Sequence, residues 1–143
     1  MESTFALALG GGALLNQVAR ALKTVLEGRL APLDLTAQQA ALLMTAGHGS
    51  GSPAQIAAQI GTDTAGMTRL LDRLERKALV RRQPHPDDRR SVVIEVTPEG
   101  RSLLPSLPPI FGKVTRQLFE GFTATELEAL TAMLRRMERN LAA

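Results

Sequence analysis

Apolar residues recur along this chain at helical spacing in three long stretches. Leu14, Val18, Leu22 and Val25 form one stripe, and Leu15, Ala19 and Leu26 broaden it, as expected of a helix packed against two partners. Met67, Leu70, Leu71, Leu74 and Ala78 fall at i, i+3, i+4, i+7 and i+11 of a second helix. Leu127, Leu130, Leu134, Met137 and Leu141 predict a last helix over roughly 124–141. One segment breaks the helical period: Ser91-Val-Val-Ile-Glu-Val96 is β-branched and bounded by turn residues, so it reads as a strand. Leu79 to Arg82 offers a partner strand, and the polar residues 83–90 between them read as a hairpin loop.

Helix-start chemistry punctuates the same pattern. Thr36 with Gln39, Ser52 with Gln55 and Thr123 with Glu126 have the hydroxyl and the amide or acid three residues later that form capping boxes. Pro53 follows Ser52 at the first helical position, where its missing N–H costs nothing. Thr97-Pro98-Glu99 is a further hydroxyl-proline start with an acid in its first turn. The coarse order is therefore helix, helix, helix, tight turn, helix, hairpin, helix, helix: a mainly α fold with a small β-hairpin. Gly10-Gly11-Gly12 leaves the start of the first helix open, because each glycine costs up to about 1 kcal/mol against alanine. Pro105, Pro108 and Pro109 predict a kink or break in the helix that begins at Pro98, since an interior proline costs about 3 kcal/mol.

With 143 residues the chain fits one domain, and 44% hydrophobic residues suffice for a core. That core is aliphatic, with four Phe and no Trp or Tyr, and zero cysteines remove disulfides and thiolate-bound zinc. No apolar run spans a bilayer and the N-terminus lacks the positive region of a secretory signal, so a soluble cytoplasmic protein is expected. Charge changes the picture more. Between Arg69 and Arg90 lie eight basic residues and four acids, a charge of +4. The 17 basic and 14 acidic residues of the whole chain leave nine and ten elsewhere, or −1. A nearly neutral protein with one basic element points that element at a polyanion, nucleic acid first.

A helix over Pro53 to Ile60, a turn at Gly61-Thr62-Asp63 and a helix from Thr64 to Lys77 match a helix-turn-helix, and the hairpin that follows makes it winged. A lone helix can lie in the major groove with its first turns on base edges. The wing reaches phosphates or the adjacent minor groove, where arginine is favoured. Arg69, Arg73 and Arg76 form a basic ridge on a face distinct from the apolar stripe. Arg69 is the candidate base contact and Arg73 a phosphate contact, while Arg76 and Lys77 suit the helix terminus. Arg81 and Arg82 alternate on a strand, so at most one of them faces DNA. Asp88, two residues before Arg90, can serve that arginine, with Arg89 beside it.

The run from Met67 to Arg82 (MTRLLDRLERKALVRR), then Asp88-Arg89-Arg90-Ser91 and Val96-Thr97-Pro98-Glu99-Gly100, resembles the multiple antibiotic resistance regulator (MarR) family of transcription factors, and the order of elements matches over essentially the whole length. The resemblance implies a homodimer on double-stranded DNA, with a winged helix-turn-helix lobe at 31–97 and dimerisation helices at 1–30 and 98–143. It implies that Thr64, Gly66, Thr68 and Arg69 occupy the groove-facing part of the recognition helix, with Gly66 leaving room for close approach. Arg90 would be the wing arginine and Asp88 the acid that orients it. It further implies a repressor released by a small-molecule effector, in a pocket lined by aliphatic residues such as Leu14, Val18 and Leu43. The chain departs from the family at Ala78, where most members have glycine, so this left-handed helix end is strained or the helix ends differently.

Other chemistry is thin. His48 and His85 are isolated; Asp87 and Asp88 lie near His85, but no ligand cluster forms, and neither a metal nor a cofactor is expected. The glycine-rich segments 10–12 and 47–52 lack phosphate-loop spacing, and no nucleophile–base arrangement can be argued, so no enzyme is expected. The rival reading is a winged module that binds an acidic protein partner through the basic ridge.

Overall fold

The computed structural model describes residues 4–49 and 51–143; Met1 to Ser3, and Ser50 of the glycine-rich loop, lie outside it. Helix α1 (Thr4–Leu30) runs unbroken through Gly10-Gly11-Gly12, because an established helix propagates across weak formers far more easily than it nucleates. A 3₁₀ turn at Ala31–Leu33 leads to α2 (Ala37–Gly47), α3 (Pro53–Ile60) and α4 (Thr64–Arg76). Strands β1 (Val80–Pro84) and β2 (Val92–Val96) follow, then α5 (Pro98–Leu103), α6 (Leu107–Leu118) and α7 (Ala124–Ala142). Capping boxes close at Thr36/Gln39, Ser52/Gln55 and Thr123/Glu126, each with the side chains bonded in both directions.

The core is aliphatic and sits under the helix-turn-helix. Leu30 from α1, Leu42 and Leu43 from α2, Ile56 from α3, Met67, Leu70, Leu71 and Leu74 from α4, Ile94 and Val96 from β2, and Leu107 from α6 form one buried cluster. Ala78 is not part of the helical stripe, because α4 ends before it and its side chain is exposed. It adopts φ 60°, with its own N–H bonded to the Glu75 carbonyl and the Leu79 N–H to the Leu74 carbonyl. Those two bonds are the Schellman termination that glycine normally serves. The chain keeps the left-handed end and carries its strain.

The hairpin is antiparallel with Val80 opposite Val96, Arg82 opposite Ile94 and Pro84 opposite Val92. Strand β1 therefore runs two residues further than the sequence pattern predicts, ending on Pro84, which has no N–H to donate, with the His85 N–H beyond it still bonded to the Ser91 carbonyl. The prolines break the α5–α6 run as expected. Pro105 lies in a 3₁₀ turn at Leu104–Ser106, and Pro108 and Pro109 fall in the first turn of α6, where backbone N–H groups have no helical partner.

Helix α7 has no buried residue, and Met133, Leu134, Met137 and Leu141 are exposed along it. Leu14, Leu15 and Val18 are exposed on α1. Among the described residues, no helix is long and apolar enough to cross a membrane.

Candidate nucleic-acid interface

Helix α4 starts at a tight turn. Gly61 takes φ 75°, the Thr62 N–H bonds the Ala57 carbonyl, and the Asp63 carboxylate accepts the Gly66 N–H at 2.7 Å as N-cap. Sequence reading treats Asp63 only as a turn residue, although an Asp directly before a helical stripe is itself a cap signal. Gly66 is also required by the turn itself. A Cβ there would overlap Thr62 Oγ1 and crowd Asp63 Oδ1, so the missing side chain makes room for the turn and its cap, whatever approaches from outside.

The first turns of α4 are open. Thr64, Thr68, Arg69 and Arg73 are all exposed, with the Thr68 hydroxyl donating to the Thr64 carbonyl at 3.0 Å. Arg69 and Arg73 border a polar groove of about 350 Å³ with Gln38, Thr62 and Asp63. Neither forms an ion pair among the described residues. On the other flank, Thr64 and Thr68 share an apolar cleft of about 500 Å³ with Pro53, Ala57, Met67 and the wing residues Ser91 and Val92.

The tip of the wing is organised by one carboxylate. Asp88 Oδ1 accepts the Arg90 N–H at 3.0 Å and lies 3.5 Å from Arg90 Nε, while Asp88 Oδ2 accepts the Ser91 hydroxyl at 3.3 Å. The Arg90 backbone N–H chiefly holds this carboxyl below the usual aspartate range; the Arg90 side chain, the Ser91 hydroxyl and the nearby His85 add to it, and together they outweigh the desolvation that would raise it. The Arg90 side chain is 94% exposed, so it is held through its backbone N–H and Nε while the outer end of its guanidinium lies open to solvent. Arg89 is also exposed. His85 Nδ1 accepts the Asp87 N–H at 3.0 Å, a loop bond. No group of three potential metal ligands occurs among the described residues.

Two basic residues are committed to the protein. Lys77 donates to the Asp34 carbonyl and, at 3.1 Å, to Gln39 Oε1, and lies 3.6 Å from the Asp34 carboxylate. It stands at the end of α4, as expected, and ties that end to the segment leading into α2. Arg82 turns to α4, with Nη2 2.5 Å from Asp72 Oδ1 and Nε 2.9 Å from Glu75 Oε1, and Nη2 also reaches the Thr68 carbonyl at 3.4 Å. Arg81, its neighbour on β1, stands opposite Glu95.

The expected ligand pocket is not assembled in the single chain. Leu43 is 0% exposed and sealed in the core, whereas Leu14 and Val18 are 60% and 47% exposed on α1. Periodicity places Leu14 and Val18 on an apolar face, but the core that Leu43 joins takes only the C-terminal end of α1, from Leu26 to Leu30.

A sequence profile of the MarR family matches residues 35–92, the span from the end of the 3₁₀ turn to the start of β2. The reduced form of MarR from E. coli is 30% identical, covering 88% of this chain and 94% of its own at a TM-score of 0.68. The chain belongs to the MarR family. A mutant of E. coli MarR in complex with operator DNA is 28% identical over 94% of this chain and 98% of that one, with a TM-score of 0.80. BpsR of Bordetella bronchiseptica, whose DNA binding is regulated by 6-hydroxynicotinic acid, is 26% identical over 89% of this chain and 91% of its own, with a TM-score of 0.79. The MarR-family architecture thus extends over nearly the whole chain, well beyond the segment that the profile matches.

Proposed function

We propose that this protein is a cytoplasmic transcriptional regulator that binds a pseudo-palindromic operator as a homodimer and represses until a small molecule binds. The observation that carries the reading is the pairing of an open helix α4 with a projecting wing arginine: Arg69 and Arg73 without acidic partners among the described residues, and Arg90 held at its base by Asp88. The likeness to a relative bound to operator DNA supports it. Residues 31–97 serve as the DNA-binding lobe. Residues 1–30 and 98–143 serve dimerisation, as their exposed apolar faces on α1 and α7 suit.

Thr64, Thr68 and Arg69 address base edges, Arg73 and Arg89 meet phosphates, and Arg90 enters the minor groove. Gly66 contributes by shaping the turn. The effector response is supported by BpsR. The effector acts by favouring a dimer whose two recognition helices no longer match successive major grooves about 34 Å apart. This function needs no catalytic step and no cofactor.

A gel-shift titration on DNA upstream of the protein's own coding region, at two salt concentrations, tests the reading. A sequence-specific shift that weakens steeply with salt is expected, since several phosphate contacts displace counterions. No specific shift at either salt, with binding to an acidic protein instead, would replace the regulator by an association module.

A further inference from the structure

Arg82 is the side chain that joins the reading helix to the wing. Thr68, Asp72 and Glu75 lie at i, i+4 and i+7 along one side of α4, and one guanidinium reaches the backbone carbonyl of the first and the carboxylates of the other two. Arg82 itself sits in mid-strand on β1, opposite the buried Ile94, so its backbone is fixed by the hairpin ladder. Among the described residues, no other side-chain hydrogen bond or ion pair links α4 to the hairpin. The same guanidinium borders the cleft that separates Thr64 and Thr68 from Ser91 and Val92, the gap between the two DNA-facing elements.

We infer that Arg82 is a positioning residue for operator binding: by bridging Asp72 and Glu75 on the reading helix, it fixes the distance from helix α4 to the wing that carries Arg90. The inference rests on the regulator reading above. A planar fork can hold two carboxylates at once, which a lysine ammonium on a flexible stem does not reproduce. Docking two reading elements in adjacent grooves requires their separation to be set before DNA arrives. With Nη2 and Nε engaged by α4, Arg82 acts through the protein and makes no phosphate contact of its own.

Bulk electrostatics and this role predict opposite signs for one substitution. Asp72→Asn removes a negative charge from a DNA-binding helix, so charge alone predicts tighter binding. If Arg82 positions the wing, the loss of its strongest partner weakens operator affinity, by about three- to tenfold. The experiment measures operator affinity against salt for the wild type, Asp72→Asn, Arg82→Lys, Arg82→Ala and the Arg82→Ala/Asp72→Asn pair, with thermal melts to confirm folding. Arg82→Lys should bind nearly as poorly as Arg82→Ala. The Arg82→Ala salt slope should equal that of the wild type, and Asp72→Asn should add no loss in the Arg82→Ala background. Tighter binding by Asp72→Asn overturns the role, as does a slope reduced by about 0.9 in Arg82→Ala with Arg82→Lys near wild type, the mark of a lost phosphate contact. The isosteric Asp72→Asn keeps the test decisive if Arg82→Ala fails to fold. A wild type without specific binding overturns the regulator reading and this role together, whereas wild-type binding with a gain in Asp72→Asn overturns this role alone.

Discussion

The Thr97 hydroxyl donates to the Ala78 carbonyl at 2.7 Å, and the same oxygen accepts the Gly100 N–H at 3.1 Å as the cap of α5. The Thr97 N–H also bonds the Leu79 carbonyl at 3.0 Å. The residue that opens α5 therefore clamps the turn that closes α4, and it does so from a buried position. These bonds hold a left-handed alanine in place.

Ala78 at φ 60° costs about 1–2 kcal/mol for the contact of its Cβ with the following backbone. Ala78→Gly removes that strain and adds unfolded-state entropy worth about 0.4–1 kcal/mol. A net stabilisation of about 0.5–1 kcal/mol is expected, read as a rise in the urea midpoint with an unchanged m-value. A lowered midpoint would show that the left-handed alanine is not strained here.

Arg90 is exposed and its carboxylate partner lies within the same loop, so its removal should spare the fold. Arg90→Ala is expected to weaken operator binding by about 1 kcal/mol or more while leaving the melting temperature within a degree or two. An unchanged affinity would take the wing tip out of DNA binding.

Arg69 is assigned to a base edge, and that assignment has its own signature. Arg69→Ala should lose about 1–3 kcal/mol at the preferred base pair and flatten the preference there. Competition against operators substituted at single positions measures this. A uniform loss across all of them would reassign Arg69 to a phosphate.

Much of this arrangement was legible because its causes are local. The capping pairs Thr36/Gln39, Ser52/Gln55 and Thr123/Glu126 act over three residues, and Asp88 reaches Arg90 over two. The left-handed end at Ala78 was expected only from the family resemblance, because periodicity alone carries the α4 stripe on through Ala78. Relations set by the tertiary fold were not legible. Asp72 and Arg82 are ten residues apart and Lys77 and Asp34 forty-three, and nothing in either local pattern says which basic residue turns inward. Periodicity likewise marks Leu14 and Val18 as an apolar face but cannot say what covers it. Gly66 could be read only as an open space, because the Thr62 hydroxyl that fills the space is placed by the turn.

Asp88 gives the wing a pH dependence of defined sign. Its native carboxyl lies below the usual aspartate range, chiefly through the Arg90 N–H, so the folded tip binds this proton less readily than the unfolded chain does. The resulting stabilisation is complete above the ordinary aspartate value and is lost as pH falls through the depressed native one. The Arg90 amide proton, followed by NMR on the folded protein, should hold its shift through the range where a free aspartate protonates and move only below it. Asp88→Asn should abolish the transition. A midpoint at or above the free aspartate value would contradict the hydrogen-bonded geometry.

The C-terminal helix supplies the test of assembly. Leu134 and Met137, 42% exposed each, and Leu141 at 88% continue the stripe begun by Leu127 and Leu130, and α7 buries none of its residues within the chain. Fully burying one leucine is worth about 1.5–3 kcal/mol, and a two-fold interface counts every substitution twice. Leu134→Glu also brings a carboxylate from each copy into an apolar seam. At least about 3 kcal/mol should be lost, a rise of about a hundredfold or more in the dimer dissociation constant. Sedimentation velocity should then show monomer where the wild type is dimer, with far-UV circular dichroism unchanged, since the core formed by α2, α3, α4 and the hairpin does not include Leu134. Operator affinity should fall with it, because two half-sites one helical turn apart need two linked modules. A Leu134→Glu protein that stays dimeric at low micromolar concentration would move the interface off this face of α7.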